Sequence, residues 1–166
     1  MLQKKKVLLL LKLAGWLLLG VSWLMSLYAY PRLPQKMALW LSLWRGEAVW
    51  TDKSLLFFLY PLAQTFFFLF FFLAARIFFF RESRADQRKP SWGGEKRPYF
   101  LDLKKEVVYL ALIFINLIFI HLQTSLILVS HRIGQGINKA YFYMLIGVIL
   151  ILIPYYYARG KILLKG

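Results

Sequence analysis

The chain has 166 residues, a length that suits one domain, and 60% of them are hydrophobic, with a mean hydropathy of +0.58. A soluble domain could not bury this much apolar surface, so the composition indicates an integral membrane protein. The formal net charge of +15 would suggest nucleic-acid binding in a soluble protein, but in a membrane protein it favours a basic face against anionic lipid. The sequence has no cysteine, which excludes disulfides, thiolate catalysis and cysteine-ligated metals.

The first apolar run predicts a transmembrane helix over residues 7–30. It follows a short basic segment and approaches the roughly 20 residues that cross a bilayer. A cleavable signal peptide is the competing interpretation, but the end of the run, Met25 to Tyr30, offers no small-x-small cleavage site. We therefore expect a retained helix that ends before Pro31, since proline cannot continue it.

Residues 31–53 predict a small β-hairpin at the membrane surface. Alternation along an extended strand places Met37, Leu39, Leu41 and Leu43 on one side and Ala38, Trp40, Ser42 and Trp44 on the other. Arg45 to Glu47 reads as a turn, and Ala48 to Trp50 as the return strand. An interfacial amphipathic helix is the alternative. The candidate residues for outer recognition are Trp40, Trp44, Gly46, Trp50 and Lys53.

A second span is predicted over residues 54–80, in which seven consecutive positions, 66–72, are phenylalanine or leucine. The following segment, 81–105, is polar and reads as a basic cytoplasmic loop or a short interfacial helix. It serves either as an orientation signal or as a docking site for lipid or an acidic partner. Its basic residues are Arg81, Arg84, Arg88, Lys89, Lys96, Arg97, Lys104 and Lys105.

The third predicted span, residues 106–130, carries a polar stripe. Tyr109, Asn116, Gln123 and Ser130 recur every seven residues and share one helix face. We expect an interhelical hydrogen-bond seam formed by Tyr109, Asn116, His121, Gln123 and Thr124. A ligand or quinone headgroup pocket, or a proton path through His121, is the alternative. The ten-residue spacing of the two histidines and the lack of an intramembrane carboxylate do not favour a metal site, and no cofactor is predicted.

A short outer loop (131–139), a fourth span (140–158) and a basic tail (159–166) complete the predicted organisation. Sixteen lysines and arginines fall on the side of the two termini and the basic loop, and six on the other side. The positive-inside rule then places both termini in the cytoplasm and the hairpin outside. The predicted fold is an all-α membrane protein of the inner (plasma) membrane, a four-transmembrane-helix bundle with an extracytoplasmic β-hairpin between helices 1 and 2.

One part of the chain, about residues 7–75, resembles a known family. The positions that carry the resemblance are Leu33-Pro34, Trp40, Gly46, Trp50, Lys53 and Pro61. The family is a bacterial membrane family built on a domain of unknown function, and the same domain forms the amino-terminal part of immunity proteins that protect bacilli against the sporulation-delaying peptide toxin. Where the family usually has Pro-x-His, this chain has Ala38-Leu39 beside Trp40. The resemblance implies an outer hairpin that meets a peptide.

Three functional classes follow from these observations. We expect a non-enzymatic accessory or structural subunit that packs against other membrane protein subunits in a bilayer with an anionic inner leaflet. An immunity-like or signal-relaying protein that recognises an extracytoplasmic peptide or ligand is the alternative. An enzyme or transporter is disfavoured because the sequence shows no nucleophile–base pair, no paired carboxylates and no buried ion pair. Nucleic acid is not an expected partner.

Overall fold

Four long helices and a two-stranded hairpin make up the computed structural model, which describes residues 2–42, 48–87, 97–133 and 136–165. The helices are α1 (Leu2–Ala29), α2 (Leu59–Gln87), α3 (Arg97–Ser130) and α4 (Lys139–Lys165), and the strands are β1 (Lys36–Leu41) and β2 (Ala48–Asp52). Single 3-10 turns, Tyr30–Arg32 and Leu55–Phe58, lie between the hairpin and its two helices. All four helices are long and apolar enough to cross a membrane. Four long apolar helices with a hairpin between the first two are therefore confirmed, and they indicate a multi-pass membrane protein.

The helices extend beyond the predicted spans. Helix α2 continues to Gln87 and α3 begins at Arg97, so both ends of the predicted basic loop are helical. Helix α4 continues past Pro154 to Lys165, where the sequence predicts a tail. A hydropathy pattern predicts only where the apolar part of a helix ends. The helix itself can continue into a polar segment, because lysine, arginine, glutamate and glutamine are good helix formers.

Helix α3 is the central element and packs against α1, α2, α4 and the hairpin strand β1. Asn116 of α3 reaches the Gly15 carbonyl, and Gln123 reaches Ser22, so α1 and α3 run in the same direction. Helices α2 and α4 run the opposite way. We call the end where the hairpin lies the hairpin end of the bundle, and the end with the chain termini the basic end.

Helices α1 and α2 approach closely at Gly15. A side-chain carbon added there would lie 3.1 Å from the Phe68 ring, closer than most such contacts. Phe68 is buried, and it packs with Leu19 of α1 and with Tyr109 and Leu112 of α3 in one apolar cluster. Because Gly15 has no side chain beyond hydrogen, Phe68 can pack closely against α1 toward the basic end of the bundle.

The hairpin pairs its two strands in antiparallel fashion, with a β-bulge at Leu39. The register is Lys36↔Asp52, Met37↔Thr51, Ala38↔Trp50, Trp40↔Val49 and Leu41↔Ala48. Met37, Ala38 and Leu41 are all buried, whereas Trp40 is 60% exposed. The prediction of strict alternation is wrong, because a bulge leaves one residue unpaired and shifts the facing of those that follow. The predicted turn at Arg45 to Glu47 lies outside the described residues.

Candidate functional site

A buried polar layer crosses the middle of the bundle. Ser22 of α1, Gln64 of α2, and Asn116 and Gln123 of α3 are each at most 1% exposed. The Ser22 hydroxyl oxygen lies 2.6 Å from Gln64 Oε1, and Gln64 Nε2 donates to Asn116 Oδ1 at 2.7 Å. Asn116 Nδ2 in turn donates to the Gly15 carbonyl at 3.3 Å. The layer therefore ties three helices together through groups that hydrocarbon cannot solvate.

The Gly15 carbonyl fixes the direction of these hydrogen bonds. A carbonyl only accepts, so the nitrogen of Asn116 must face it, and its oxygen must accept from Gln64. The Gln64 oxygen then accepts the single proton of the Ser22 hydroxyl. Ser22 Oγ also lies 2.7 Å from Gln123 Oε1, while Gln123 Nε2 is buried without a partner among the described residues. Because the single Ser22 proton is already donated to Gln64, exchanging the oxygen and nitrogen of the Gln123 amide gives a hydrogen bond in which Gln123 donates to Ser22.

The predicted seam residues do not all join this layer. Asn116 and Gln123 do, whereas Tyr109 is buried in the neighbouring apolar cluster with Phe68. His121 faces α4 and stacks on Tyr141 with ring centroids 4.1 Å apart. Thr124 donates to the Ile120 carbonyl of its own helix at 2.8 Å, and its hydroxyl also lies 3.5 Å from Met25 Sδ of α1, outside the layer. The seven-residue period therefore selects the interior positions, and the two residues off that period lie on other faces of α3.

Two members of the layer, Ser22 and Gln64, were not predicted as seam residues. The sequence feature that could have identified Gln64 is its amide, which lies in an otherwise apolar or hydroxyl-bearing stretch of the second span. An amide in hydrocarbon needs a partner, so it points toward the interior. Ser22 carries a weaker signal, because single serines are common in membrane helices and bond their own backbone.

The hairpin is fixed to the bundle through β1. The Ala38 amide donates to Ser130 Oγ of α3 at 2.9 Å, and Ser130 Oγ donates to the Leu126 carbonyl at 2.7 Å. The Tyr60 hydroxyl of α2 donates to the Leu39 carbonyl at 3.0 Å. Met37 is fully buried in a cluster with Ala29 at the end of α1 and Phe57 of the 3-10 turn before α2. Two helices thus occupy the backbone groups along the edge of β1 that faces away from β2.

Lys53 also belongs to this attachment. Its ammonium donates to the Pro31 carbonyl at 2.9 Å and to the Leu33 carbonyl at 3.1 Å, and its amide donates to Gln35. These contacts close the base of the hairpin, where α1 ends and the chain turns toward β1. The Lys53 ammonium already donates to two carbonyls within the chain. This geometry does not favour the predicted contact between Lys53 and a ligand.

Replacing Lys53 with methionine is expected to lower the free energy of unfolding by about 1.5 kcal/mol, since two carbonyls lose a charged donor. Amide hydrogen exchange in the two strands should become faster, because the base of the hairpin opens. Lys36, an exposed lysine of the same hairpin, gives the matched control Lys36→Met, which should leave exchange unchanged. Equal exchange in both variants would show that Lys53 does not hold the hairpin.

The hairpin exposes aromatic side chains on both of its faces. Trp40 and its cross-strand partner Val49 are 60% and 57% exposed, and Trp50 is 46% exposed. Trp40 lies beside Tyr60, with ring centroids 6.4 Å apart. The other two predicted recognition residues, Trp44 and Gly46, lie outside the described residues. The described candidate recognition residues are therefore Trp40 on one face of the hairpin and Trp50 on the other. Together with Val49, which lies beside Trp40, we call them the hairpin surface.

At the basic end, an ion pair links α3 and α4. Arg159 donates to Glu106 Oε2 at 2.7 Å, and the Glu106 side chain is only 4% exposed. The expectation of no buried ion pair was wrong. Glu106 is the first residue of the predicted third span, where a carboxylate is expected at the membrane surface. Its partner lies 53 positions away, so the sequence around Glu106 does not indicate the pair.

The predicted basic loop is divided between two helices and an undescribed segment. Arg81 and Arg84 lie on α2, and Arg97 begins α3. Lys105 pairs with Asp102 at 3.4 Å on the surface of α3, and Lys104 lies on the same turn. The remaining three, Arg88, Lys89 and Lys96, lie outside the described residues. The described members thus stand at the ends of helices α2 and α3.

Within the described parts of the chain, no three histidine, cysteine, aspartate or glutamate side chains come together as a group that could hold a metal ion. His121 Nε2 is buried without a hydrogen-bond partner among these residues, and its ring lies between α3 and α4. Neither the polar layer nor the ion pair combines a nucleophile with a base. What the arrangement offers is hydrogen-bonded attachment between helices in the interior of the bundle and exposed aromatic side chains on the hairpin.

No protein-family model, no curated protein and no solved structure matches this chain. The resemblance to the immunity-protein family therefore stays a prediction.

Proposed function

We propose that the protein is a non-enzymatic accessory subunit of a larger membrane complex and that the hairpin surface is its contact with another protein. The observation that carries this proposal is a fixed backbone beneath exposed aromatic side chains: Ser130 and Tyr60 hold β1, while Trp40 and Val49 face outward. Tryptophan is enriched among the residues that dominate binding energy at protein interfaces. A surface held in place before binding loses little conformational entropy when a partner docks.

The distribution of charge supports an orientation for this subunit. The segments at the basic end carry sixteen lysines and arginines and those at the hairpin end carry six. By the positive-inside rule, the basic end and both termini face the cytoplasm, and the hairpin surface lies outside the plasma membrane. The partner contact is therefore extracytoplasmic, with the lipid-facing sides of the helices free to meet other membrane subunits.

Purification from native membranes in a mild detergent tests the proposal. We expect a defined assembly larger than this chain, with components in fixed ratio, and loss of that assembly in the Trp40→Ala, Trp50→Ala double variant. Trp16→Ala is the matched control, since Trp16 is a 44% exposed tryptophan on α1 toward the basic end. A wild-type protein that runs alone, or an assembly that survives the double variant, would overturn the accessory role of the hairpin surface.

A second candidate function is recognition of an extended peptide, as in the immunity proteins. The observation that favours it is the edge of β2. In an antiparallel ladder, successive residues direct their backbone N–H and C=O groups alternately toward the partner strand and away from it. The Lys53 amide donates to Gln35 at 2.6 Å, so the backbone groups of Asp52 and Trp50 point away from β1. An extended peptide could add there as a third strand.

Expression of the protein in cells sensitive to the sporulation-delaying peptide toxin tests this candidate. Protection is expected for the wild type and not for Asp52→Pro, which removes an outward-pointing donor and leaves the β1 ladder intact. Asp52→Ala keeps the backbone donor and serves as the control, which should still protect. No protection by the wild type would exclude the immunity-like role, and it would leave the accessory-subunit proposal to its own test.

A further inference from the structure

The hairpin end of α4 packs only loosely on the bundle. Among residues 139–152, only Leu145 is buried, and α3 is the main neighbour of the helix. The Tyr141 hydroxyl donates to the Leu117 carbonyl of α3 at 3.3 Å. The Tyr141 ring stacks on His121, also of α3, with ring centroids 4.1 Å apart and 17° between the ring planes. His121 therefore lies where this end of α4 is attached.

One nitrogen of this histidine has no hydrogen-bond partner. His121 Nε2 is buried, and none of the described residues donates to it or accepts from it. The Phe142 ring lies edge-on to the imidazole, with centroids 5.5 Å apart. The backbone of Asn138 also reaches the ring, and since Nε2 has no partner, this backbone serves the other ring nitrogen. The imidazole thus has one nitrogen that Asn138 serves and one that is buried alone.

The two protonation states of His121 do not fit this environment equally well. A neutral imidazole has a single N–H, which the Asn138 carbonyl can accept, and its other nitrogen is only an acceptor. A protonated imidazole donates from both nitrogens, so Nε2 would become a charged donor buried without an acceptor, which is far more costly. Histidine ordinarily changes its charge between about pH 5 and pH 8. Acid therefore favours an arrangement in which the ring reaches water.

Among the described residues, no carboxylate faces His121 to compensate a charge on the ring. Helix α4 packs against it, and Tyr141 is the titratable residue that faces the ring from that helix. On α3 itself the nearest carboxylate in the chain is Glu106, fifteen residues earlier and thus about 22 Å away along the axis. The basic residues at the adjacent helix ends are exposed: His131, Arg132 and Lys139. Water at the start of α4 is therefore what a charged ring could reach.

We propose that His121 is a pH-sensitive latch between α3 and α4. While its imidazole is neutral, it stacks on Tyr141 and holds the hairpin end of α4 against α3. When the imidazole takes up a proton, this end of α4 moves away, and the charged ring reaches the water around the exposed Lys139, two residues before Tyr141. Because one proton is taken up, the ratio of released to attached molecules should rise by up to about ten-fold for each unit by which the pH falls. The latch does not depend on which partner the hairpin surface binds.

Double electron–electron resonance between spin labels on α3 and α4, measured on the full chain in nanodiscs, tests the proposal. The chain has no cysteine of its own, so Leu128→Cys and Tyr143→Cys place one label on each helix, at exposed positions toward the hairpin end. We expect one short, narrow distance at about pH 7.5. That distance should be lost to longer distances at about pH 5, since these two values enclose the ordinary titration of histidine.

Two neutral variants and one matched control complete the test. His121→Phe keeps an aromatic ring beside Tyr141 but takes up no proton, so it should give the short distance at both pH values. His121→Leu, a second neutral variant, should likewise show no response to pH. His131→Gln removes the other histidine, which is exposed, and should respond as the wild type does. A wild-type distance that is independent of pH would overturn the latch, as would a pH response that persists in both neutral variants or disappears in His131→Gln.

Discussion

Replacing Arg159 with alanine is expected to lower the free energy of unfolding by about 3 kcal/mol, because it leaves the carboxylate of Glu106 buried without its partner. The Glu106 side chain is 4% exposed and that of Arg159 is 32% exposed. This difference predicts an asymmetry between the two single variants. Glu106→Gln leaves a cation that can still reach water through its long side chain, so the loss should be nearer 1 kcal/mol.

Equilibrium unfolding in mixed detergent micelles measures both losses. The double variant Glu106→Gln, Arg159→Ala should recover much of the stability lost in Arg159→Ala, since no unpaired charge is left inside. Lys105→Ala provides the control, because the Lys105–Asp102 pair is about one-third exposed on both sides and such pairs contribute about 0–1 kcal/mol. If Arg159→Ala and Lys105→Ala lower the free energy of unfolding equally, the ion pair of the buried Glu106 contributes no more stability than an exposed ion pair.

Replacing Gln64 with leucine should cost about 2 kcal/mol, because the change keeps the size of the side chain but removes partners from two buried groups. Ser22 would lose its acceptor and Asn116 its donor. A buried group left unpaired costs about 1–3 kcal/mol in general, whereas hydrogen bonds between membrane helices average about 0.6 kcal/mol. The expected loss lies between these limits because helices separated within a bilayer regain some of their bonds.

The control is Gln35→Leu, the same chemical change at an exposed position of the hairpin base, which should alter stability little. Combining Gln64→Leu with Ser22→Ala should cost less than the sum of the two single variants, since both act on one network. A loss in Gln64→Leu of about 0.6 kcal/mol or less, with simple additivity, would show that the layer is a set of independent bonds.

The sequence predicted the helices and the hairpin because both depend on local patterns. Long apolar runs are sufficient for the helices, and the seven-residue period of α3 identified Asn116 and Gln123 as interior positions. The partners of those residues depend on how α1 and α2 pack, which no local pattern carries, so Ser22 and Gln64 were missed. The Glu106–Arg159 pair was missed for the same reason.

The hairpin shows the limit of periodic reasoning within a single element. Strict alternation requires every residue of the strand to be paired, and Leu39 is unpaired at the bulge. No glycine or proline in β1 indicates the bulge in the sequence. The cause is tertiary: the Ala38 amide is held by Ser130 and the Leu39 carbonyl by Tyr60. Two helices therefore determine the backbone of the strand, and the burial of Met37 and Ala38 together follows from them.

The bond between Ala38 and Ser130 has a consequence for biosynthesis, because these residues are 92 positions apart. A ribosome that has inserted α1, the hairpin and α2 has not yet made the helix on which the hairpin rests. Contacts of such sequence separation form late, since a long loop must close before they stabilise anything. The hairpin surface can therefore mature only after α3 has entered the membrane, so a nascent chain halted before Ser130 should present an unsupported hairpin to its surroundings.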